Sequence, residues 1–398
     1  MKTAFVIPFY GSDIGGGAET QCRRLAENLA QRGADVEVLT TTLRDLATDW
    51  SHNYYDPGIY TVNGVTVRRF LVNPSDMEIL APINRKLMAR EPVMIEEEID
   101  YADNAVNSQL LYQFIGDNKK DYVYFFIPYL FGVSLNGVSI APEKSFLIPC
   151  LHDEGYAYMR ITRRMFEKVS GVLFNSRAEM ELAKDLYEGL VHTEPILMGE
   201  GVDEASGADG ARFREKYNLG SDPFIVYVGR RDQTKNTPLL VDYFWRYRRL
   251  NPESNLRLVS MGSGCVPIPD DIAEYTLDLG FVSTADRRDA IAGATLLCQP
   301  SLMESFSLVM MESWLCGRPA LVHSRCAATK EHALNSGAGM LFDSFEEFCA
   351  AVDTLLEDPA LADEMGRRGR AYVRANFSWD VICGRFMKLI EACDLLPF

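Results

Sequence analysis

An α/β protein of two Rossmann-like, doubly wound domains facing a central cleft is the fold class this sequence predicts, and three observations predict it. Short apolar runs alternate with helix-patterned segments along the chain, the rhythm of consecutive βαβ units. That rhythm starts again after GEGVDEASGADGA, residues 199–211, a Gly-, Ala- and acid-rich stretch without periodicity that reads as a linker. A length of 398 residues exceeds one ordinary core, since domains hold about 150 residues each. Ligands of doubly wound sheets gather beyond the carboxyl ends of the strands, so chemistry is sought on the loops there.

TAFVIPFY opens the chain as a buried strand, and with no small-residue cleavage site after it, it is not read as an export signal. A helix carrying Leu25 and Leu29 follows, then a second strand, VEVLTT. In IYTVNGVTVRRF, alternating apolar residues flank Asn63-Gly64, the dipeptide selected by a two-residue hairpin turn. Residues 75–116 interrupt the alternation with helical patterning and an acidic run, EEEID, whose ordinary meaning is a solvated face. They form a helical insertion in a first domain of residues 1–200. YVYFFIP, SFLIPC and VLFNS are three further buried strands of that domain. The second domain, residues 206–378, runs through FIVYVGR, NLRLVSMG, TLDLGFV, TLLCQP and PALVH, each followed by a helix or loop. A last helix begins at 379 with no strand behind it.

Hydrophobic residues at 47% and charged residues at 24% describe a soluble composition, and no run approaches the ~20 apolar residues that cross a bilayer. Nine cysteines sit singly in apolar settings such as LLCQP and SWLCG, with no Cys-x-x-Cys pair. The expectation is reduced thiols, a cytoplasmic address and no zinc site. A formal net charge of −16 argues against nucleic-acid binding, which needs a clustered basic surface, but leaves room for a local basic pocket.

Candidate chemistry collects at strand ends. GGGAE, Gly15 to Glu19, opens a helix directly after the first strand, so backbone N–H groups at Gly16 and Gly17 can approach an anion; a plain tight turn explains the same glycines. Neither it nor GSGCVP at 262–267 has the Gly-x-Gly-x-x-Gly spacing of a dinucleotide site. After the second domain's first strand, GRRDQTKN crowds Arg230, Arg231 and Lys235 onto one loop. An Arg fork and a mobile Lys ammonium suit a pyrophosphate whose charge grows as its bond breaks; an exposed, ion-paired loop is the bland alternative. No Asp-x-Asp pair is present to hold Mg²⁺, so the cations are expected to replace a metal.

His152, in LIPCLHDEGY, ends a strand where it can donate to a substrate hydroxyl or carbonyl, or serve the fold alone; the other four histidines have no comparable setting. ESFSLVMMES, residues 304–313, is the most informative stretch. Leu308, Met311 and Leu315 recur at helical spacing. Ser305, Phe306 and Ser307 then form the first turn, with the N–H groups of Phe306, Ser307 and Leu308 facing an anion. Glu304, before the helix, can accept from sugar hydroxyls. Glu312 falls on the buried stripe, where it takes a ribose diol or belongs to a buried structural network.

Those residues in that order resemble the retaining nucleotide-sugar glycosyltransferases of the GT-B fold, specifically glycosyltransferase family 4, the group 1 glycosyltransferases. The resemblance spans nearly the whole chain. It rests on GGGAE, HDEGY at 152–156, GEGVD at the domain junction, YVGRRDQTKN, LGFVS and QPSLMESFSLVMMESWLCGRPALVHS, whose Glu-x7-Glu framing is the most specific part. The family implies catalytic roles for His152, Arg230, Lys235 and Glu304: donor diphosphate on Arg230 and Lys235, sugar hydroxyls on Glu304 and His152. Donor-binding roles are implied for Gly16 and Gly17 beside a phosphate, for the backbone around Phe281 and Val282 at the base, for Phe306, Ser307 and Leu308, and for Glu312 on the ribose. Also implied are a return of residues 379–398 to the first domain, no cofactor, and no metal. The implied donor is a nucleoside-diphosphate hexose of the GDP-mannose or UDP-glucose type. The implied acceptor is a glycan or lipid-linked hydroxyl of bacterial surface polysaccharide synthesis, with peripheral association at the inner membrane face.

The chain departs from the family in three places. Ser307 stands where Gly is frequent, Glu200 precedes Gly201-Val202-Asp203 where Asn is common, and the 75–116 insertion, near which acceptor selection is placed, is not a generic feature. Two rival functions stay open. A sugar-nucleotide epimerase would need further acid and base groups facing the hexose, and a non-catalytic sugar-nucleotide-binding partner would have lost a site residue.

Overall fold

The computed structural model describes residues 2–188 and 194–395, so His192 and the expected extension of the last helix to 398 lie outside the described residues. The chain divides into two compact units. One runs to Gly201 and takes in the segment from Trp379 onward, and the other is Val202–Ser378.

The first unit opens with β1 (Lys2–Ile7), α1 (Gly17–Gln31), β2 (Val36–Thr41), β3 (Gly58–Val62) and β4 (Val65–Phe70). The insertion supplies α2 (Met77–Met88), α3 (Ile95–Asn104) and α4 (Gln109–Asp117). Then come β5 (Tyr122–Phe126), α5 (Gly132–Leu135), β6 (Ser145–Leu147), α6 (Arg160–Lys168), β7 (Gly171–Phe174), α7 (Arg177–Leu186) and β8 (Glu194–Leu197). The strands lie in the order β3-β4-β2-β1-β5-β6-β7-β8, and only the β3/β4 pair is antiparallel. Strands β2 and β5 are buried throughout, which is why they read as unbroken runs, whereas β4 near the sheet edge keeps a strict alternation. Asn63 and Gly64 join β3 to β4 with φ of 49° and 84°, the two left-handed residues a type I′ turn requires.

The acidic run is the solvated face its composition suggests at Glu96 and Asp100, but not at Glu98. Glu98 is only 3% exposed and accepts the Ile161 N–H at 3.0 Å, while Ile99 beside it is 50% exposed. The carboxylate turns inward because the start of α6 presents a backbone donor that nothing apolar could satisfy.

The second unit contains α8 (Gly210–Lys216), β9 (Phe224–Val228), α9 (Thr237–Leu250), β10 (Arg257–Met261), β11 (Thr276–Asp278), α10 (Thr284–Gly293) and β12 (Leu296–Gln299). It continues through α11 (Leu308–Leu315), β13 (Ala320–His323), α12 (Ala327–Ser336), β14 (Gly339–Phe342), α13 (Phe345–Glu357) and α14 (Pro359–Phe377). Its sheet is parallel in the order β11-β10-β9-β12-β13-β14, the doubly wound order whose direction reverses between the first and fourth strands. Sequence patterning misses β8 and β14, each only four residues long. Finally α15 (Trp379–Leu395) packs on the first unit, its Phe386 ring 5.6 Å from Phe125 and 6.2 Å from Phe5.

GSGCVP has a packing explanation. The Gly229 N–H donates to Met261 O at 3.0 Å, Arg231 N–H to Ser263 O at 2.7 Å and Gly262 N–H to Gly280 O at 2.7 Å. These bonds press the loops after β9, β10 and β11 together, backbone on backbone. A Cβ on Gly262, whose φ is 128°, would fall on the Gly229 carbonyl.

Candidate active site

β9 and β12 flank the switch point of the second unit's sheet, so the loops that follow them emerge side by side. One carries Arg230 to Lys235 and the other Glu304. Lys235 Nζ lies 2.7 Å from Glu304 Oε1, the side chains 25% and 11% exposed. Neighbouring bonds hold this pair in place. Asp232 Oδ1 accepts the Lys235 N–H at 2.9 Å, Gln299 Nε2 donates to Glu304 Oε1 at 3.1 Å, and Asn236 Nδ2 donates to Pro300 O at 3.0 Å across the two loops.

The two arginines diverge. Arg231 is buried, donates to Gly262 O at 2.9 Å and pairs with Asp278, so it staples the three loops together. Arg230 is half-exposed, donating to Thr234 Oγ1 at 3.1 Å with the Asp232 carboxylate 3.7 Å away. Lys235 and Glu304 are thus brought together, while Arg230 stays at the rim of the same loop.

Helix α11 corrects the sequence reading, for it begins at Leu308 and not at Ser305. Ser307 is its N-cap, with φ 81° and ψ 78°, and a left-handed residue cannot belong to a right-handed turn. Phe306 is buried, its ring edge-on to His332 at 5.0 Å and to Phe377 at 4.8 Å, so its side chain anchors the loop. No side chain caps α11, and the dipole end at Ser307 and Leu308 therefore retains its attraction for an anion.

Glu312, in the second turn of α11, meets a partner that sequence reasoning missed. Its Oε1 accepts from Arg287 Nη2 of α10 at 2.8 Å, and its side chain keeps 18% of its exposure. Burial raises its pKa, and the charges of Arg287 and Arg288 oppose the rise. The available signal was the Arg287-Arg288 pair just after LGFVS. Nearby, Val282 is half-buried and Phe281 is 79% exposed.

In the first unit the switch point lies between β1 and β5. Helix α1 follows β1, with Gly16 as an extended N-cap, Gly17 as first residue and no side-chain cap. A Cβ on Gly17 would meet nothing within 4 Å, whereas one on Gly16 would fall on the Glu19 carboxylate, which lies against this helix start. His152 sits on the loop after β6, the strand next to β5, with 27% of its side chain exposed. Its Nδ1 is 3.7 Å from Glu154 Oε1, beyond a hydrogen bond, and that oxygen accepts from Tyr129 Oη at 2.9 Å. Asp153 pairs with Arg90 at 3.3 Å and accepts from Tyr158 Oη at 2.8 Å. Glu200, the departure at the domain junction, is buried in this unit. The sequence-predicted residues therefore form two groups, each at the carboxyl edge of its own sheet: Gly16, Gly17 and His152 in one, and Arg230, Lys235, Val282, Glu304, Phe306, Ser307, Leu308 and Glu312 in the other.

Residues 222–358 match the family described as Glycosyl transferases group 1. The chain is 26% identical over 406 residues to the D-inositol 3-phosphate glycosyltransferase of Kineococcus radiotolerans, covering 93% of this chain and 88% of that one. To the trehalose synthase of Rubrobacter xylanophilus it is 33% identical over 171 residues, 39% of this chain and 40% of that relative's length, so the match spans well under half of it. Among solved structures, Anabaena Alr3699/HepE in complex with UDP-glucose is similar with a TM-score of 0.70 at 15% identity, covering 98% of this chain and all of that one. Likeness over the full length gives the fold and the family match gives the domain that holds Lys235, Glu304 and Glu312: the chain carries a group 1 glycosyltransferase domain, residues 222–358, within a GT-B fold.

Proposed function

We propose that the protein is a retaining hexosyltransferase that moves mannose or glucose from a nucleoside diphosphate to a hydroxyl acceptor. The observation that carries this reading is the Lys235–Glu304 pair at a sheet switch point, beside the uncapped start of α11. A diphosphate gains negative charge as its bond to the sugar breaks. Lys235, Arg230 and the N–H groups at Phe306, Ser307 and Leu308 offer fixed positive potential for that charge, which is why the reading calls for no metal. Glu304 and His152 take donor-sugar hydroxyls, Glu312 the ribose in competition with Arg287, Gly16 and Gly17 a phosphate, and the Val282 backbone the base.

With no side chain assigned as nucleophile, the leaving phosphate accepts the acceptor's proton on the face where attack occurs, and configuration at the sugar is retained. The protein then contributes positioning and electrostatics. The likeness to a UDP-glucose-bound structure supports a donor of the UDP-glucose type, with GDP-mannose as the alternative. The acceptor is a glycan or lipid-linked hydroxyl, met by a cytoplasmic enzyme through peripheral contact with the inner membrane face. Among the described residues no helix is long and apolar enough to cross a membrane.

A thermal-shift screen against UDP-, GDP- and ADP-sugars, followed by product analysis with the best donor, tests the reading. One nucleotide series should raise the melting point and release nucleoside diphosphate in step with a retained-configuration glycoside. Epimerised donor without nucleotide release would favour an epimerase, and binding without turnover a non-catalytic partner. If no sugar nucleotide raises the melting point, all three readings fail.

A further inference from the structure

Beneath the His152 loop lies a buried polar network that the transfer mechanism leaves unused. Glu179, in the first turn of α7 and 3% exposed, accepts the Leu151 N–H on Oε1 and the Asn175 N–H on Oε2, each at 2.6 Å. One carboxylate therefore ties the chain leaving β6 to the chain leaving β7. Asn175 extends the connection, its Oδ1 accepting from Gln21 Nε2 at 2.7 Å, while Cys150 Sγ lies 3.4 Å from Gln21 Oε1. Gln21 is buried one turn into α1. The helix start at Gly16 and Gly17 is thus linked to His152 through Gln21, Asn175, Glu179 and Leu151. Cys150, in the middle of the connection, holds φ 52°, a conformation that a non-glycine residue keeps only where its surroundings impose it.

Apolar side chains of similar size would fill this space more cheaply than a buried carboxylate, but they could not accept two backbone N–H groups arriving from different strands. We propose that Glu179 is a positioning residue for sugar transfer, fixing His152 with respect to the start of α1 by holding Leu151 and Asn175. The inference rests on the hexosyltransferase reading.

Burial pushes the Glu179 carboxyl up to about 7, while the two N–H donors and His152 pull it down. The ionised form accepts both N–H groups fully; protonation turns one oxygen into a hydroxyl and loosens the hold. The ionisable groups around it are Cys150 and His152 on the loop after β6, with Glu19 of α1 and Glu200 beyond β8 acting on the same Cys150.

The test compares the full-length wild type with Glu179→Gln, using the best donor of the screen. The variant should keep the melting-point rise given by the nucleoside diphosphate and a donor KM within about twofold, while kcat falls about 30–100-fold, the scale set by a misplacement near 1 Å. Wild-type kcat should rise with pH through about 7, and that limb should be absent from the variant, although His152 is common to both. A merely structural Glu179 would lower the melting point without separating kcat from KM or changing the profile. A variant with kcat within about threefold of wild type and the same limb overturns the positioning role alone. A wild type that turns over no sugar nucleotide overturns the hexosyltransferase reading and the positioning role with it. Should the variant fail to fold, amide exchange in wild-type residues 150–155, corrected for intrinsic rate, decides: protection should increase from pH 6 to 8, and flat protection overturns the proposal.

Discussion

Lys235 faces Glu304 with one donor and keeps two more for a ligand, whereas Arg230, on the same loop, is half-exposed and solvated. Unequal burial predicts unequal effects. Lys235→Ala removes a preorganised cation and leaves a nearly buried carboxylate unpaired, so kcat/KM for the donor should fall about 10²–10³-fold; Arg230→Ala, whose charge is screened by water, should cost about tenfold. Equal losses, or wild-type turnover in Lys235→Ala, would remove the pair from the mechanism. Ser307 calls for the opposite kind of change. Its φ of 81° is held by a buried loop anchored on Phe306, and its Oγ is a long 3.5 Å from Gln299 Nε2. Ser307→Gly should therefore relieve strain, raising stability by up to about 1 kcal/mol, or about 2–4 °C in the melting point of a unit this size, with transfer retained. A drop in melting temperature would show that the hydroxyl matters more than the backbone.

Elements work by where they place a single carboxylate or turn, and the insertion shows this. Helix α3 sends Glu98 to the Ile161 N–H, Asn84 of α2 accepts from Tyr156 Oη at 2.5 Å, and Arg90 between the helices pairs with Asp153 beside His152. Glu98→Ala leaves a backbone donor without its acceptor and should cost about 1–3 kcal/mol in urea unfolding, whereas Arg90→Ala breaks a half-exposed ion pair and should cost under about 1 kcal/mol. The reverse ranking would mean the insertion is held by its surface charges. The same elements explain what the sequence discloses. Strands buried on both faces appear as apolar runs, and the β3/β4 turn appears in Asn63-Gly64, because those signals are local. The inward turn of Glu98 depends on a helix start some sixty residues away, and nothing in a lone Ser announces the left-handed bend at 307. Lys235 and Glu304 are 69 residues apart and Arg287 and Glu312 are 25 apart. The first pair is anticipated only by placing two strand-end loops at one switch point, and the second needs the packing of α10 on α11.

For the molecule as a whole, burial places two ionisable groups in opposition. Glu179 in the first unit is raised to about 7, and His332 in the second, 2% exposed among Phe306, Phe377 and Tyr372, is lowered to about 4. Between roughly pH 4.5 and 7 the native first unit binds more protons at Glu179 than the unfolded chain does, so its stability rises as pH falls, by at most about 3 kcal/mol. At His332 the unfolded chain binds more protons between about pH 4 and 6.5. Stability there is complete above 6.5 and is lost on acidification, again by about 3 kcal/mol at most. A single global denaturation curve would sum the two and look flat. Calorimetry resolving two transitions should show them separating between pH 7 and 5, the second unit melting lower relative to the first. His332→Phe should abolish the acid loss in one transition, and Glu179→Gln the acid gain in the other; transitions that move in parallel in the wild type would refute the opposition. If they do separate, the ionised Glu179 that holds the His152 loop is obtained at the pH where the first unit is less stable, and the pH of fastest transfer should lie above the pH at which that unit is most stable.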